Sequence, residues 1–365
     1  MSTIIMTTVA LSIISAASCF LIALADRTIG DCGEVKLVIN HQKEYIVKGG
    51  DSLLSTLRNE KVFIPSACGG KGSCGYCKVQ VLEGGGPILA TELPFMSQED
   101  LEKNIRLSCQ LKVKEDIKIQ IPEELFNVRE YDGLVESIID LTDVIKMLRI
   151  RLPKGEEINF KPGQYVQLKA PIYEGSTEEV YRAYSIASSP LSKDYIDLVI
   201  GYVPQGIATT YVHFHLREGD TVNINGPYGD FYYQDNEREM IMVAVGTGVA
   251  PILSILRYMK EMNIKRKARF YLGARTTKDL FMPDFFRELE DSLYDFKFIP
   301  CLSREPADSG WDGFRGRVNN AIDQFLEDGE NKEAYLCGSE AMINSVVEAL
   351  KKKGISEDLI YYDKF

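Results

Sequence analysis

The sequence predicts a multidomain protein: one N-terminal transmembrane helix, a small β-rich domain, an antiparallel β-barrel and an α/β domain built on a parallel sheet. Three observations predict it. Residues 1–25 carry no Asp, Glu, Lys, Arg or His. From about Tyr131 short strand-like runs are separated by turn residues. From Met240 a continuous apolar run opens a regular alternation of strand and helix patterns. A chain of 365 residues suits two or three cores, because single cores rarely grow beyond roughly 250–300 residues. Boundaries are expected at 1–33, 34–130, 131–234 and 235–365.

The apolar run Ile4 to Ala25 would extend roughly 33 Å as a helix, enough to cross a bilayer. Ala23-Leu24-Ala25 offers the rival reading of a signal-peptide cleavage site. The missing basic n-region, and a run longer than the usual apolar core of about 7–15 residues, favour an uncleaved anchor. Arg27, Lys36, Lys43 and Lys48 follow the run and nothing basic precedes it, so the positive-inside rule puts the bulk of the chain in the cytoplasm. Thiols stay reduced there, and the eight cysteines read as ligands plus free thiols, Cys19 and Cys32 being incidental. A net charge of −11 excludes general nucleic-acid binding, which needs a basic surface.

In the first soluble domain Val35–Ile39 and Glu44–Lys48 read as a hairpin turning at Asn40-His41-Gln42, and Asp51 is placed to N-cap a helix through Asn59. Lys78 to Val81 alternates as a strand, Gly84-Gly85-Gly86-Pro87 turns, Ser97-x-x-Asp100 reads as a capping box, and alternation resumes through Ile117, Ile119 and Ile121. Cys68, Cys74, Cys77 and Cys109 are spaced C-x5-C-x2-C-x31-C. Glycines 69, 70, 72 and 75 let the loop fold tightly and aim backbone N–H groups at sulfur. This favours a [2Fe–2S] cluster, with zinc as competitor. Zinc sites more often present two paired knuckles, whereas plant-type clusters use C-x4-C-x2-C, one residue shorter in the first gap. A small sheet over one helix, with cysteines in its loops, resembles the β-grasp fold of [2Fe–2S] ferredoxins.

The barrel pattern runs through Pro162-Gly163-Gln164-Tyr165, Arg182-Ala183-Tyr184-Ser185 and Tyr195–Tyr202 to about Phe231. Alternation puts Arg182 and Tyr184 on one face of their strand and Ala183 and Ser185 on the other. Next, Met240 to Val245 reads as a strand buried on both faces. Gly246-Thr247-Gly248-Val249-Ala250-Pro251 then opens a helix, where glycines admit a diphosphate to the backbone and the helix N-terminus offers free N–H groups. Strands and helices alternate from there to Tyr362.

R-x-Y-S, G-x-x-T (Gly206-Ile207-Ala208-Thr209), G-T-G-V-A-P and Cys337-Gly338, in this order, resemble the ferredoxin–NADP⁺ reductase superfamily of flavin enzymes. With the apolar run and cysteine module ahead of them, essentially the whole chain resembles the family of F subunits of bacterial sodium-translocating NADH:quinone reductases. Ile88 to Leu93, Ile121 to Glu124, Gly273-Ala274-Arg275 and Trp311-Asp312-Gly313 carry the likeness further. The resemblance implies FAD, NADH and a [2Fe–2S] cluster as cofactors, and hydride transfer from NADH to FAD followed by single electrons to the cluster. Arg182 would bind the flavin diphosphate, Tyr184 stack on the isoalloxazine and Ser185 bond near its reactive nitrogen, with Gly206, Ile207, Ala208 and Thr209 beside them. Gly246, Thr247, Gly248 and Pro251 would take the dinucleotide. Cys337 and Gly338 would lie near the hydride path, and Phe365 would shield the flavin, giving a catalytic set of Tyr184, Ser185, Cys337 and Phe365. Implied partners are the membrane subunits of a respiratory complex, quinone indirectly, and the bilayer through residues 4–25. The implied location is the cytoplasmic membrane, with the soluble domains facing the cytoplasm.

Two stretches depart from that family: the segment between Pro171 and Tyr181 is short, and Ser339-Glu340 follows Cys337-Gly338 where many relatives have proline. The rival functions are the reductase component of a multicomponent oxygenase and a non-catalytic electron-transfer subunit. Gly273 to Thr277 could approach the adenosine ribose, and NADH is expected over NADPH. His213-x-His215 reads as structural, since residues two apart on a helix do not face each other. No Ser-His-Asp arrangement is visible.

Overall fold

The computed structural model describes residues 12–19 and 32–364. Residues 12–19 are helical (α1). Most of the expected span from Ile4 to Ala25 lies outside the described residues, and among those described no helix is long and apolar enough to cross a membrane. The chain divides into two compact units between Asn127 and Val128.

The first unit contains β1 (Glu34–Ile39), β2 (Lys43–Lys48), α2 (Leu53–Asn59), β3 (Lys78–Glu83), α3 (Gln98–Glu102), β4 (Ile105–Leu107) and β5 (Ile117–Gln120). Its sheet has the order β2-β1-β5-β3-β4, with β1 antiparallel to β2 and parallel to β5. Leu53, Leu54 and Leu57 of α2 pack with Leu37, Ile39, Val79 and Ile119 from the sheet, the arrangement of a β-grasp domain. The hairpin turns at Asn40 and His41, both with positive φ. The N-cap is Ser52, not Asp51: its Oγ accepts from Ser55 N, while the Asp51 carbonyl is committed to Val113 N. Ser97 and Asp100 form the expected capping box of α3.

The second unit begins with β6 (Arg129–Thr142), β7 (Ile145–Arg151), β8 (Tyr165–Ala170), β9 (Val180–Ser185), β10 (Tyr195–Gly201), α4 (Ile207–Thr210) and β11 (Thr221–Tyr228). All pairs in the order β10-β7-β6-β11-β8-β9 are antiparallel. A bridge between Ile186 and Leu198 joins the two edges and closes the barrel around Leu148, Ile150, Val166, Leu168, Ile196 and Ile224.

It continues with β12 (Glu239–Val245), α5 (Val249–Glu261), β13 (Ala268–Ala274), α6 (Pro283–Ser292), β14 (Phe296–Leu302), β15 (Phe314–Arg315), α7 (Val318–Phe325), β16 (Lys332–Gly338), α8 (Glu340–Lys352) and β17 (Ile360–Lys364). The six strands are all parallel, in the order β15-β14-β13-β12-β16-β17. Met240, Met242 and Ala244 of β12 enter one core with α5 and α6; Ile241 and Val243 enter the other with α7 and α8. Burial on both faces explains the unbroken apolar run. The strand order reverses at β12, so a crevice opens beyond the C-terminal ends of β12 and β16, where α/β sheets bind their ligands.

Candidate functional site

The cysteine loop is assembled by strand pairing. Lys78 of β3 pairs with Leu107 of β4, which carries Cys77 and Cys109 to the same place despite the long gap between them, and Ser108 N donates to the Cys77 carbonyl. Gly69, Gly70, Gly72 and Gly75 have φ of 67°, 92°, 72° and 74°, a left-handed backbone that a side chain would strain. A Cβ at Gly75 would stand 2.8 Å from Phe95. The Cys74 thiol donates to Cys68 Sγ at 3.3 Å, and Cys77 and Cys109 form a second hydrogen-bonded pair. Cys77 is buried and the other three are half-buried.

In each pair one sulfur ionises readily. The hydrogen bond from Cys74 pulls Cys68 down to about 3, and the bond from Cys77 pulls Cys109 down to about 7. The donor thiols are pushed up in turn, by that bond first and by burial second. Two thiol pairs under a glycine cradle fit a binuclear cluster, whose four ligands are cysteines.

Behind this loop lies a pair that the sequence reading missed. Arg106 and Glu92 are 2% and 0% exposed, with Arg106 Nη2 2.7 Å from Glu92 Oε2. The guanidinium also donates to the carbonyls of Gly85, Gly86 and Pro87. The glycine triplet does turn the chain, but it also gathers three carbonyls on one buried cation. Glu92 in turn accepts from Leu89 N and Leu107 N.

In the second unit, Arg182 and Tyr184 stand opposite Leu168 and Val166 of β8, and Ala183 and Ser185 opposite Gln167 and Tyr165. Arg182 Nη1 donates to the Tyr181 carbonyl, and Tyr184 packs against the barrel core, where burial pushes its hydroxyl pKa up. The turn Gly206 to Thr209 packs against β8 and β9 through α4. Its Thr209 hydroxyl bonds Val203 N and the carbonyls of Val203 and Gly206, so this hydroxyl holds its own loop. The Ile207 carbonyl accepts from Tyr173.

The Gly246–Gly248 turn sits on the end of β16. A Cβ at Gly248 would stand 2.2 Å from the Cys337 carbonyl oxygen, so only glycine permits this approach, and a Cβ at Gly201, at the end of β10, would stand 3.1 Å from the Thr247 methyl group. Pro251 is buried in the first turn of α5. Cys337 is buried, and burial, reinforced by the Asp363 carboxylate, keeps its thiol protonated. Lys364 of β17 pairs with Gly338; Phe365 lies outside the described residues. His213 bonds the Ile200 carbonyl and His215 stacks on Tyr173, the structural role expected of them.

A buried carboxylate, also missed, clamps barrel to sheet. Asp197 of β10 is fully buried and accepts from Arg149 (2.7 and 3.0 Å) and from Arg257 of α5 (2.9 Å). Arg257 also donates to the Ala187 carbonyl, and Ser254 to the Ser188 carbonyl. The strand end after Ser185 is thereby tied to the helix that follows Gly248. Asp197→Ala leaves two arginines without their carboxylate; we expect a loss of about 1–3 kcal/mol, read by urea unfolding of the second unit.

Three domain families match the chain: a 2Fe-2S iron-sulfur cluster binding domain over residues 37–114, an oxidoreductase FAD-binding domain over 133–233 and an oxidoreductase NAD-binding domain over 242–348. The F subunit of the Na⁺-translocating NADH-quinone reductase from Neisseria meningitidis is 35% identical, covering 91% of this chain and 92% of the relative. The corresponding F subunit of Neisseria gonorrhoeae is 33% identical over 99% of both. The chain belongs to that family. It is an oxidoreductase of the NADH-quinone reductase kind, with FAD, a [2Fe–2S] cluster and NADH as its cofactors. Among solved structures, a cytochrome reductase from Amycolatopsis superposes with a TM-score of 0.72 at 27% identity, covering 91% of this chain and 98% of that one. The ferredoxin reductase in carbazole 1,9a-dioxygenase shares the fold, with a TM-score of 0.70 at 24% identity over 91% and 98%.

Proposed function

We propose that this chain is the electron-input subunit of a Na⁺-translocating NADH-quinone reductase complex, anchored in the cytoplasmic membrane through Ile4 to Ala25 with its soluble domains in the cytoplasm. The observation that carries the reading is the meeting of the Gly246–Gly248 turn with both Cys337 and barrel strand β10, in a chain that also pairs four thiols. Bound FAD supplies the change from two-electron hydride chemistry to one-electron transfer. Arg182 neutralises the flavin diphosphate, Tyr184 stacks on the ring, Ser185 offers a hydroxyl near its reactive nitrogen, and Gly206, Ile207 and Ala208 offer backbone groups.

On the nicotinamide side, Gly246, Thr247, Gly248 and Pro251 form the dinucleotide turn. Cys337, held as a neutral thiol beside Gly338, adds no charge where hydride passes. Phe365 would shield the flavin, as the family resemblance implies. Cys68, Cys74, Cys77 and Cys109 hold the cluster. The anchor keeps that domain near its acceptor and raises the effective concentration of the pair.

Rapid mixing of the purified protein with NADH tests this: flavin absorbance should bleach, and ferricyanide should then be reduced. Absence of bleaching would favour a non-catalytic role in electron transfer. The fold shared with a ferredoxin reductase of a dioxygenase supports one other reading, an oxygenase reductase component. Release from membranes by salt, without detergent, would favour that alternative.

A further inference from the structure

We propose that Gln110 is a positioning residue that raises the reduction potential of the cluster site by holding a side-chain N–H on the Cys109 sulfur; this rests on reading the four cysteines as [2Fe–2S] ligands. Gln110 Nε2 donates to Cys109 Sγ at 3.7 Å, within reach for the large sulfur atom. The other end of the amide is fixed too: the Thr91 hydroxyl donates to Gln110 Oε1 at 3.1 Å. Because an amide carries its acceptor and its donors at opposite ends, a donor held at Oε1 turns the NH₂ group toward sulfur.

The surroundings hold both partners in place. A Cβ at Gly72 would stand 2.5 Å from Gln110 Nε2 and 3.0 Å from its Cδ, so the glycine opens the space in which the amide lies. The root of the side chain is set by the turn after β4, where Gln110 N and Leu111 N both donate to the Leu107 carbonyl. Thr91 precedes Glu92, whose carboxylate is locked on Arg106 and on Leu89 N. Both ends of the amide are thus engaged.

The consequence is electrostatic. Uptake of one electron adds one negative charge, shared over the sulfurs. An N–H aimed at sulfur stabilises the more negative state more strongly and raises the potential, and no proton has to move. Gln110 would therefore help to decide which one-electron acceptors lie downhill from this site.

The test is a redox titration of the full-length holoprotein, followed by visible absorbance and EPR. Gln110→Met keeps the length of the side chain and removes the N–H. Gln110 also lines a cavity of about 360 Å³ with Gly85, Gly86 and Leu89, which gives the replacement room. At a fixed potential near the midpoint, the reduced-to-oxidised ratio should fall about tenfold, equivalent to a midpoint about 59 mV lower. Thr91→Val, which frees the amide to turn, should lower it in the same direction by less. A wild-type protein without a [2Fe–2S] spectrum would overturn the cluster reading itself. Cluster-loaded variants whose potentials match the wild type overturn this inference alone. Should Gln110→Met fail to hold its cluster, Thr91→Val decides: a lowered midpoint supports the assignment and an unchanged one refutes it.

Discussion

Replacing Cys74 by alanine should remove the [2Fe–2S] absorbance and EPR signal completely while NADH still bleaches the flavin. Cys74 shares a hydrogen bond with Cys68, and Cys77 with Cys109, so the substitution breaks one of two pairs and leaves three ligands where a binuclear cluster needs four. The residues proposed for flavin and dinucleotide all lie after Val128, in a compact unit with its own cores. Stopped-flow absorbance at flavin wavelengths, run beside EPR on the same sample, separates the two events. A folded variant that loses flavin bleaching as well would contradict the proposed order of electron transfer.

Arg106→Met should destabilise the first unit by about 3–5 kcal/mol, the usual consequence of leaving one member of a buried ion pair without its partner. Both side chains are almost fully buried, so solvent does little to screen the loss. Three turn carbonyls lose their common donor at the same time. Burial alone would raise the Glu92 carboxyl, but the Arg106 guanidinium and the N–H groups of Leu89 and Leu107 outweigh it and hold the group below its ordinary value. A carboxyl depressed by folding stabilises above its unfolded pKa of about 4.3, and that stability is lost as pH falls through the folded value. The gap between wild type and variant should accordingly be full at neutral pH and shrink in acid below about pH 4. Denaturant unfolding followed by the visible circular dichroism of the cluster, at pH 7 and in acid, measures both effects; a gap that is constant with pH would show that Glu92 is not the group responsible.

How legible these features were in the sequence follows from the range of the forces behind them. β12 announced itself because burial on both faces demands an unbroken apolar run, and its odd and even residues do enter two different cores. Ser97 and Asp100 were readable because a capping box is local. Ser52 displaced Asp51 at the first cap because the Asp51 carbonyl is tied to Val113, a partner that local spacing does not reveal. The same holds for the buried charges. Glu92 and Arg106 are separated by a loop and a helix, and Asp197 gathers arginines from a distant strand and from the next domain's first helix. One signal was available: Arg106 interrupts the apolar strand Ile105–Leu107, and a cation in so short a buried strand has to find an anion. Thr209 illustrates the opposite limit, since its place in the motif was legible but the use of its hydroxyl within its own loop required coordinates.

The edge position of β17 has a practical side for anyone handling this protein. Lys364 stands opposite Gly338 and its ammonium reaches Glu340, so the backbone leaves the sheet beside the turn proposed for nicotinamide. An affinity tag or fluorescent label placed on β17 would crowd that doorway. The connection between β8 and β9 is the better port: Gly175 has open space where a Cβ would stand, Glu174 and Thr177 are exposed, and exposed loop tips of this kind accept inserted sequence most readily.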